Sequence, residues 1–300
     1  MRRGVVLFIT LAILLMLSTI VMLFLKEGLE VKRSVRENIA VIQTNLLLND
    51  MSGFLKKQNF SQDDIFYGSD LPVSLDLGPV SGSISLTSAQ RHININRFLD
   101  AVLHDQQALV SFLDWLDTLK LKNQPLLISL LLDSYDSDRY ERMTGSEIVL
   151  QRPWFQNGTI ANERALTTIL QRYSELSGDQ NLSIKRWLDV FGFEGDSVDL
   201  NYLNSDQIRL LYPDLPQIVV ETLARHDTLY KSTEEIPIDP ESRVKLMQTR
   251  FGIIPSFKTS AIEITITFTT TQECSGDMGF LMEVKKKKIT GLTLSPIRCP

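Results

Sequence analysis

The run from Val5 to Leu25 constrains this chain more than any other segment: 21 residues without a charge, opened by Met1-Arg2-Arg3-Gly4 and closed by Lys26 and Glu27. About 20 apolar residues in a helix cross a hydrocarbon core, so the run reads as one membrane span. A cleavable signal peptide has a shorter apolar core and a small-residue exit, and neither is present. Arg2 and Arg3 carry positive charge on the N-terminal side. They predict that this end stays in the cytoplasm and that the remainder is exported.

The helix does not stop at the span. From Lys26 to about Lys57 there is no proline, and the only glycines are Gly28 and Gly53. Leu29, Val35, Ile39, Ile42, Leu46 and Leu47 recur at helical spacing, with Lys32, Arg33, Arg36 and Glu37 between them. The expected form is an amphipathic stem. Its apolar stripe must pack on the chain's own globular part or on neighbouring subunits.

The rest of the chain alternates strand and helix signals. Between Pro72 and Thr87, Val73, Leu75, Leu77, Val80, Ile84 and Leu86 are punctuated by Gly78, Pro79 and Gly82, which predicts two short strands or a hairpin. Ile93-Asn94-Ile95-Asn96 precedes a helical pattern from Arg97 to about Leu121. Val198-Asp199-Leu200-Asn201 precedes another from Ser205 to Leu211, and Pro213 and Pro216 separate that from Ile218–Arg225. The shared order of apolar residue, Asn or Asp, apolar residue, Asn, then helix reads as a weak internal duplication. An Asn side chain there can cap the free N–H groups of the following helix. A further helix is expected from Ala161 to Leu176, with Trp154 and Phe155 in the core before it. Ile262 to Thr269 alternates cleanly, and Phe280–Val284 and Ile289–Leu294 also read as strands.

The segment richest in chemistry is Asp133-Ser134-Tyr135-Asp136-Ser137-Asp138, followed by Gly145-Ser146-Glu147. Carboxylates this close repel unless something neutralises them, and a calcium ion takes about six to eight oxygens. The glycine and glutamate offsets of an EF-hand are missing. The pattern alone fits either a cation site or a solvated acidic loop. Asp114 and Asp117, three apart on a helix, read as surface charges. Cys274 and Cys299 are the only cysteines, so a zinc or redox motif is unsupported. They can pair if the last strand returns beside the first, which sequence cannot decide.

Other functions find little support. The net charge is -5, so no broad basic face attracts nucleic acid, and the run Lys285–Lys288 reads as a solvated turn. His92, His104 and His226 are isolated, and no nucleophile, acid and base set emerges, so catalysis is not expected. Sequons at Asn59, Asn157 and Asn181 matter only in a eukaryotic secretory pathway.

The start MRRG-VVLFITLAILLMLSTIV resembles the processing and assembly segment of pilin-like proteins. The resemblance implies a cut by prepilin peptidase after Gly4 and methylation of Val5. Most pilins carry a glutamate at the fifth mature position, where this chain has Ile9. The K-type minor pseudopilins of type II secretion (general secretion pathway protein K) typically lack it, which suits a tip subunit with nothing above it. That family also carries the Asn-x-Asn signature twice, around a large helical insertion. Its calcium loop reads D-x-x-D-x-D then G-A-E, which this chain matches with Ser146 for alanine. Asp133, Asp136, Asp138 and Glu147 are thereby the implied calcium ligands. In relatives a further acid and paired tyrosines follow, where this chain has Ile148-Val149-Leu150, leaving one ligand or one of two ions in doubt.

The expected fold is α+β: a pilin-like long N-terminal helix packed on a small antiparallel sheet, with a large mostly α-helical insertion domain. The expected divisions are a leader 1–4, a transmembrane part 5–25, a stem with the first strands 26–92, the insertion 93–240 and C-terminal strands 241–300. The implied setting is the Gram-negative inner membrane, with the globular part periplasmic. The implied partners are the I-type and J-type minor pseudopilins, the major pseudopilin, prepilin peptidase and the inner-membrane assembly platform. A tip minor pilin of a type IV pilus or DNA-uptake system, and an unprocessed signal-anchored periplasmic scaffold, are the rival readings.

Overall fold

The computed structural model describes residues 2–68, 73–76, 80–270, 273–295 and 298–299; the side chains of residues 2–17, 19–21, 33, 36, 37, 73–76 and 80 lie outside the description. The Gly4–Val5 cut, the methylation at Val5, Ile9 and most of the expected span fall among those side chains. Among the described residues no helix is long and apolar enough to cross a membrane.

Helix α1 runs Arg2–Lys57 without interruption. No proline breaks it, and at ~1.5 Å per residue it is about 84 Å long. Its buried stripe is Ala40, Thr44, Leu47, Met51 and Leu55. Of the six residues of the expected stripe, Leu47 is buried within the chain, whereas Val35 (50% exposed), Ile42 (60%) and Leu46 (60%) are exposed, as are Leu29 and Ile39. Small Ala40 and Thr44 allow a close approach, whereas periodicity selects bulky apolar positions first.

The chain then divides into two compact units. The first comprises residues 1–59, 68–86 and 263–300, and the second comprises residues 60–67 and 87–262. The second unit includes residues 93–240, where the helical insertion is expected. Short α2 (Gln62–Gly68) follows α1. Strands β1 (Val73–Asp76) and β2 (Val80–Ser88) come next and pair antiparallel as a hairpin.

The insertion opens with β3 (Ile93–Asn94), α3 (Ile95–His104) and α4 (Gln106–Thr118). The single helix expected here is two. Asp105 is extended (φ -125°, ψ 116°), donates its N–H to the Ala101 carbonyl and caps α4 by accepting from the Gln107 N–H. Helices α5 (Gln124–Tyr135), α6 (Ile148–Gln151), α7 (Glu163–Ser177) and α8 (Ile184–Val190) follow, then β4 (Phe191–Gly192) and β5 (Ser197–Asp199). Helices α9 (Ser205–Leu211), α10 (Gln217–Leu223) and α11 (Pro240–Leu246) and strand β6 (Ile254–Ser256) complete it. The core includes Phe98, Phe112, Trp115, Trp187 and Phe191, with the two indoles 4.9 Å apart and nearly perpendicular. Phe155 is buried as expected, but Trp154 is 62% exposed because it sits on the turn after α6.

The two Asn blocks become two short parallel ladders, β3 with β4 and β5 with β6. Asn94 caps α3, accepting from the N–H groups of Asn96 and Arg97. Asp199 caps a 3-10 turn over Leu200–Tyr202 by accepting from the Asn201 N–H. Asn204 then forms a capping box with Gln207 on α9. In each block the second Asn, Asn96 or Asn201, reaches a distant backbone segment.

The chain returns through β7 (Ala261–Thr270), β8 (Ser275–Glu283) and β9 (Lys288–Leu294), giving a five-stranded sheet in the order β1-β2-β7-β8-β9. Alternate residues Ile264, Ile266 and Phe268 of β7 and Met278, Phe280 and Met282 of β8 are buried, and α1 touches β9. A Cβ on Gly82 of β2 would lie 2.2 Å from the Thr267 carbonyl oxygen of β7, so the pairing requires glycine. The lysine run is the β8–β9 turn, with Lys287 at φ 52° and Lys286 paired to Glu283 at 2.9 Å. Cys274 and Cys299 are joined by a disulfide, their Cα atoms 4.1 Å apart. Beside it, Ser275 and Arg298 exchange two backbone hydrogen bonds of 2.9 Å.

Candidate metal centre

The acidic segment straddles the end of a buried helix. Six residues of α5, Leu126–Leu132 without Ile128, are apolar or small and buried, so the helix lies deep in the insertion and carries Asp133 in with it. Asp136 ends the helix in extended backbone (φ -76°, ψ 170°), its N–H bonded to the Leu132 carbonyl. The loop that follows is built from short polar contacts. The Asp138 carboxylate accepts from the Tyr140 N–H at 2.8 Å. Gly145, at φ 83°, turns the chain in a region that favours glycine. Ser146 donates its N–H to the Met143 carbonyl at 2.9 Å. Ser146 and Glu147 thereby return to the foot of α5, and both are fully buried.

Asp136, Asp138 and Glu147 each place a carboxylate oxygen within 4.8 Å of the others. Asn157 closes the group: its amide donates to Glu147 Oε1 at 2.6 Å and to the Asp138 carbonyl at 2.9 Å. The N–H of Gly158 bonds the Ser134 carbonyl at 3.0 Å, which fixes this segment against α5. Among the described residues, Asp136 Oδ1, Glu147 Oε2 and Asn157 Oδ1 are buried with no hydrogen-bond partner. Burial pushes the Glu147 carboxyl up, against the hydrogen bond from Asn157, and the negative charge of Asp133 and Asp136 pushes it the same way. Three carboxylates brought this close, with buried acceptors among them and on Asn157 that lack donors, form an oxygen set of the kind a hard divalent cation takes. The residues therefore fit calcium on their chemistry.

Of the four expected ligands, three are brought together and one is engaged elsewhere. Asp133 is fully buried and hydrogen-bonds the Arg142 guanidinium, the Arg142 N–H (3.0 Å) and the Ser146 hydroxyl. Arg142 and Asn157 escaped the sequence reading. Arg142 is a cation between Asp138 and Glu147 in the sequence, which is a usable signal; Asn157 is ten residues beyond Glu147 and only folding brings it in.

Burial and the neighbouring Arg91 lower His92 to about 4. A cleft of about 420 Å³ beside α3 contains Arg97, which is already paired with Asp196 at 2.8 Å.

A comparison with family models and with curated proteins finds no match by sequence. Among solved structures, a chain of the GspK-GspI-GspJ complex from the Type 2 Secretion System of enterotoxigenic Escherichia coli is similar. The TM-score is 0.50 at 14% identity, covering 88% of this chain and 97% of that one. At that identity the likeness shows the fold: a pilin-like α+β unit carrying a large helical insertion.

Proposed function

We propose that this chain is a K-type minor pseudopilin, a tip subunit of the type II secretion pseudopilus that helps initiate its assembly and protein export across the outer membrane. The observation that carries the reading is the second apolar stripe on α1. Val35, Ile39, Ile42 and Leu46 are spaced four, three and four residues apart and exposed, opposite the stripe that packs on the chain's own sheet. A helix with two apolar faces, one covered and one bare, is suited to bundling with other helices. The partners are the I-type and J-type minor pseudopilins, followed by the major pseudopilin. The helical insertion lies in the larger of the two units, and its role is structural rather than catalytic.

The leader supports the same reading. Cleavage after Gly4 by prepilin peptidase and methylation of Val5 convert an inner-membrane anchor into an assembly surface in the periplasm. Calcium bound at the loop after α5 is structural, and the three buried unpartnered oxygens support it. The test is mass spectrometry of the protein isolated from membranes. A mature N-terminus at methylated Val5 is expected, and an intact Met1 would sink the reading in favour of an unprocessed scaffold. Capture of I-type and J-type subunits, rather than type IV pilus components, separates secretion from a related pilus machine.

A further inference from the structure

Arg142 lies inside the acidic loop. Its guanidinium hydrogen-bonds both Asp133 Oδ1 and Asp136 Oδ2. Asp133 Oδ2 is held by the Arg142 N–H and by the Ser146 hydroxyl. Asp133 therefore has both oxygens occupied by protein donors. Asp136 is shared: one oxygen meets Arg142, while Oδ1 is buried without a partner, as are Glu147 Oε2 and Asn157 Oδ1.

We propose that Arg142 is a resident cation of this loop, so that the chain binds a single calcium ion through Asp136, Asp138, Glu147 and Asn157, while Asp133 anchors the arginine instead of the metal. The inference rests on the calcium reading above and deepens it. A fully buried carboxylate needs a counter-charge, and Arg142 supplies one that is covalently tied to the loop. A second dication beside it would face a fixed positive charge within bonding distance of the same aspartates. The half of the loop around Asp133 and Ser146 thus stays folded whatever the calcium level. Only the half around Asp138, Glu147 and Asn157 responds to it.

The test is a calcium chloride titration of the full chain in detergent after EGTA treatment, with the bound number counted by native mass spectrometry. One ion is expected for the wild type and for Asp133→Asn. Glu147→Gln should weaken binding by about tenfold or more, and Arg142→Gln should admit a second ion or tighten the first by about tenfold. Two ions on the wild type, or loss of binding in a folded Asp133→Asn, overturn the proposal and leave the calcium reading standing. If Asp133→Asn does not fold, Arg142→Gln decides: unchanged number and affinity overturn the proposal. No ion on the wild type sinks the calcium reading itself, and this proposal with it.

Discussion

Asn96 brackets the backbone of Ile160, its amide donating to the carbonyl at 3.0 Å and its oxygen accepting from the N–H at 2.7 Å. Asn201 does the same to Tyr230, at 3.0 and 2.8 Å. Each Asn stands two residues after a capping Asn or Asp, and its carboxamide completes a missing piece of backbone pairing. The duplication visible in sequence is therefore a duplicated hydrogen-bonding device as well as a pair of caps. Asn201→Ala leaves both backbone groups of Tyr230 unpaired and should cost about 2–3 kcal/mol in urea unfolding. Asn201→Asp retains the acceptor, loses the donor and places a carboxylate beside Asp199, so its deficit should grow from about pH 4 to about pH 7.

Two buried acids act on stability with opposite signs. Burial raises Asp199, against hydrogen bonds from Thr259 and Asn201. Its contribution is fully present below the unfolded value and lost as pH rises through the folded one. Burial also pushes Asp179 up, but the N–H groups of Lys122 and Asn181 and the Tyr173 hydroxyl together lower it. Its contribution is present above the unfolded value and lost as pH falls through the depressed one. In urea melts from about pH 3 to about pH 8, Asp199→Asn should gain on the wild type as pH rises. Asp179→Asn should lose less than the wild type as pH falls.

The disulfide ties the last residues to the start of β8 across a separation of 25 residues. Closing a loop of that size restricts the unfolded chain, so Cys274→Ser with Cys299→Ser should lower stability by about 2–4 kcal/mol. Dithiothreitol should lower the wild-type Tm and leave the double variant unchanged. Equal melting with and without reductant would mean that the bond contributes nothing.

At Gly82 the backbone of β7 approaches too closely for any side chain. Gly82→Val should cost about 2–3 kcal/mol through strand displacement. Gly28→Ala, at a position with nothing within 4 Å, should be neutral or slightly stabilising in the same denaturation assay.

The bare stripe of α1 separates assembly from folding. Ile42→Glu with Leu46→Glu changes two exposed residues and should move stability by less than about 0.5 kcal/mol each. The same variant should fail to co-purify with I-type and J-type partners. Undiminished co-purification would place the interface elsewhere.

Local patterns determined much of this protein before any packing was known. The uninterrupted stem, the β1–β2 hairpin, α9 at Ser205–Leu211 and the alternating β7 all followed from proline placement and periodicity, because each depends on neighbours in the chain. The grouping of Asp136, Asp138 and Glu147 was also legible, since they lie within fifteen residues of one another. Other features were decided only by tertiary structure. Which face of α1 is covered, the one carrying Ala40, Thr44 and Leu47, is settled by packing and not by the bulk of its residues. Whether Asp133 serves a metal or an arginine depends on where the loop returns Arg142 and Ser146. Whether Asn157 joins the oxygen set depends on the Gly158 N–H finding Ser134. Periodicity and spacing carry the information that the backbone uses locally. The partner of a buried charge is set by distances between segments, which exist only after the chain has packed.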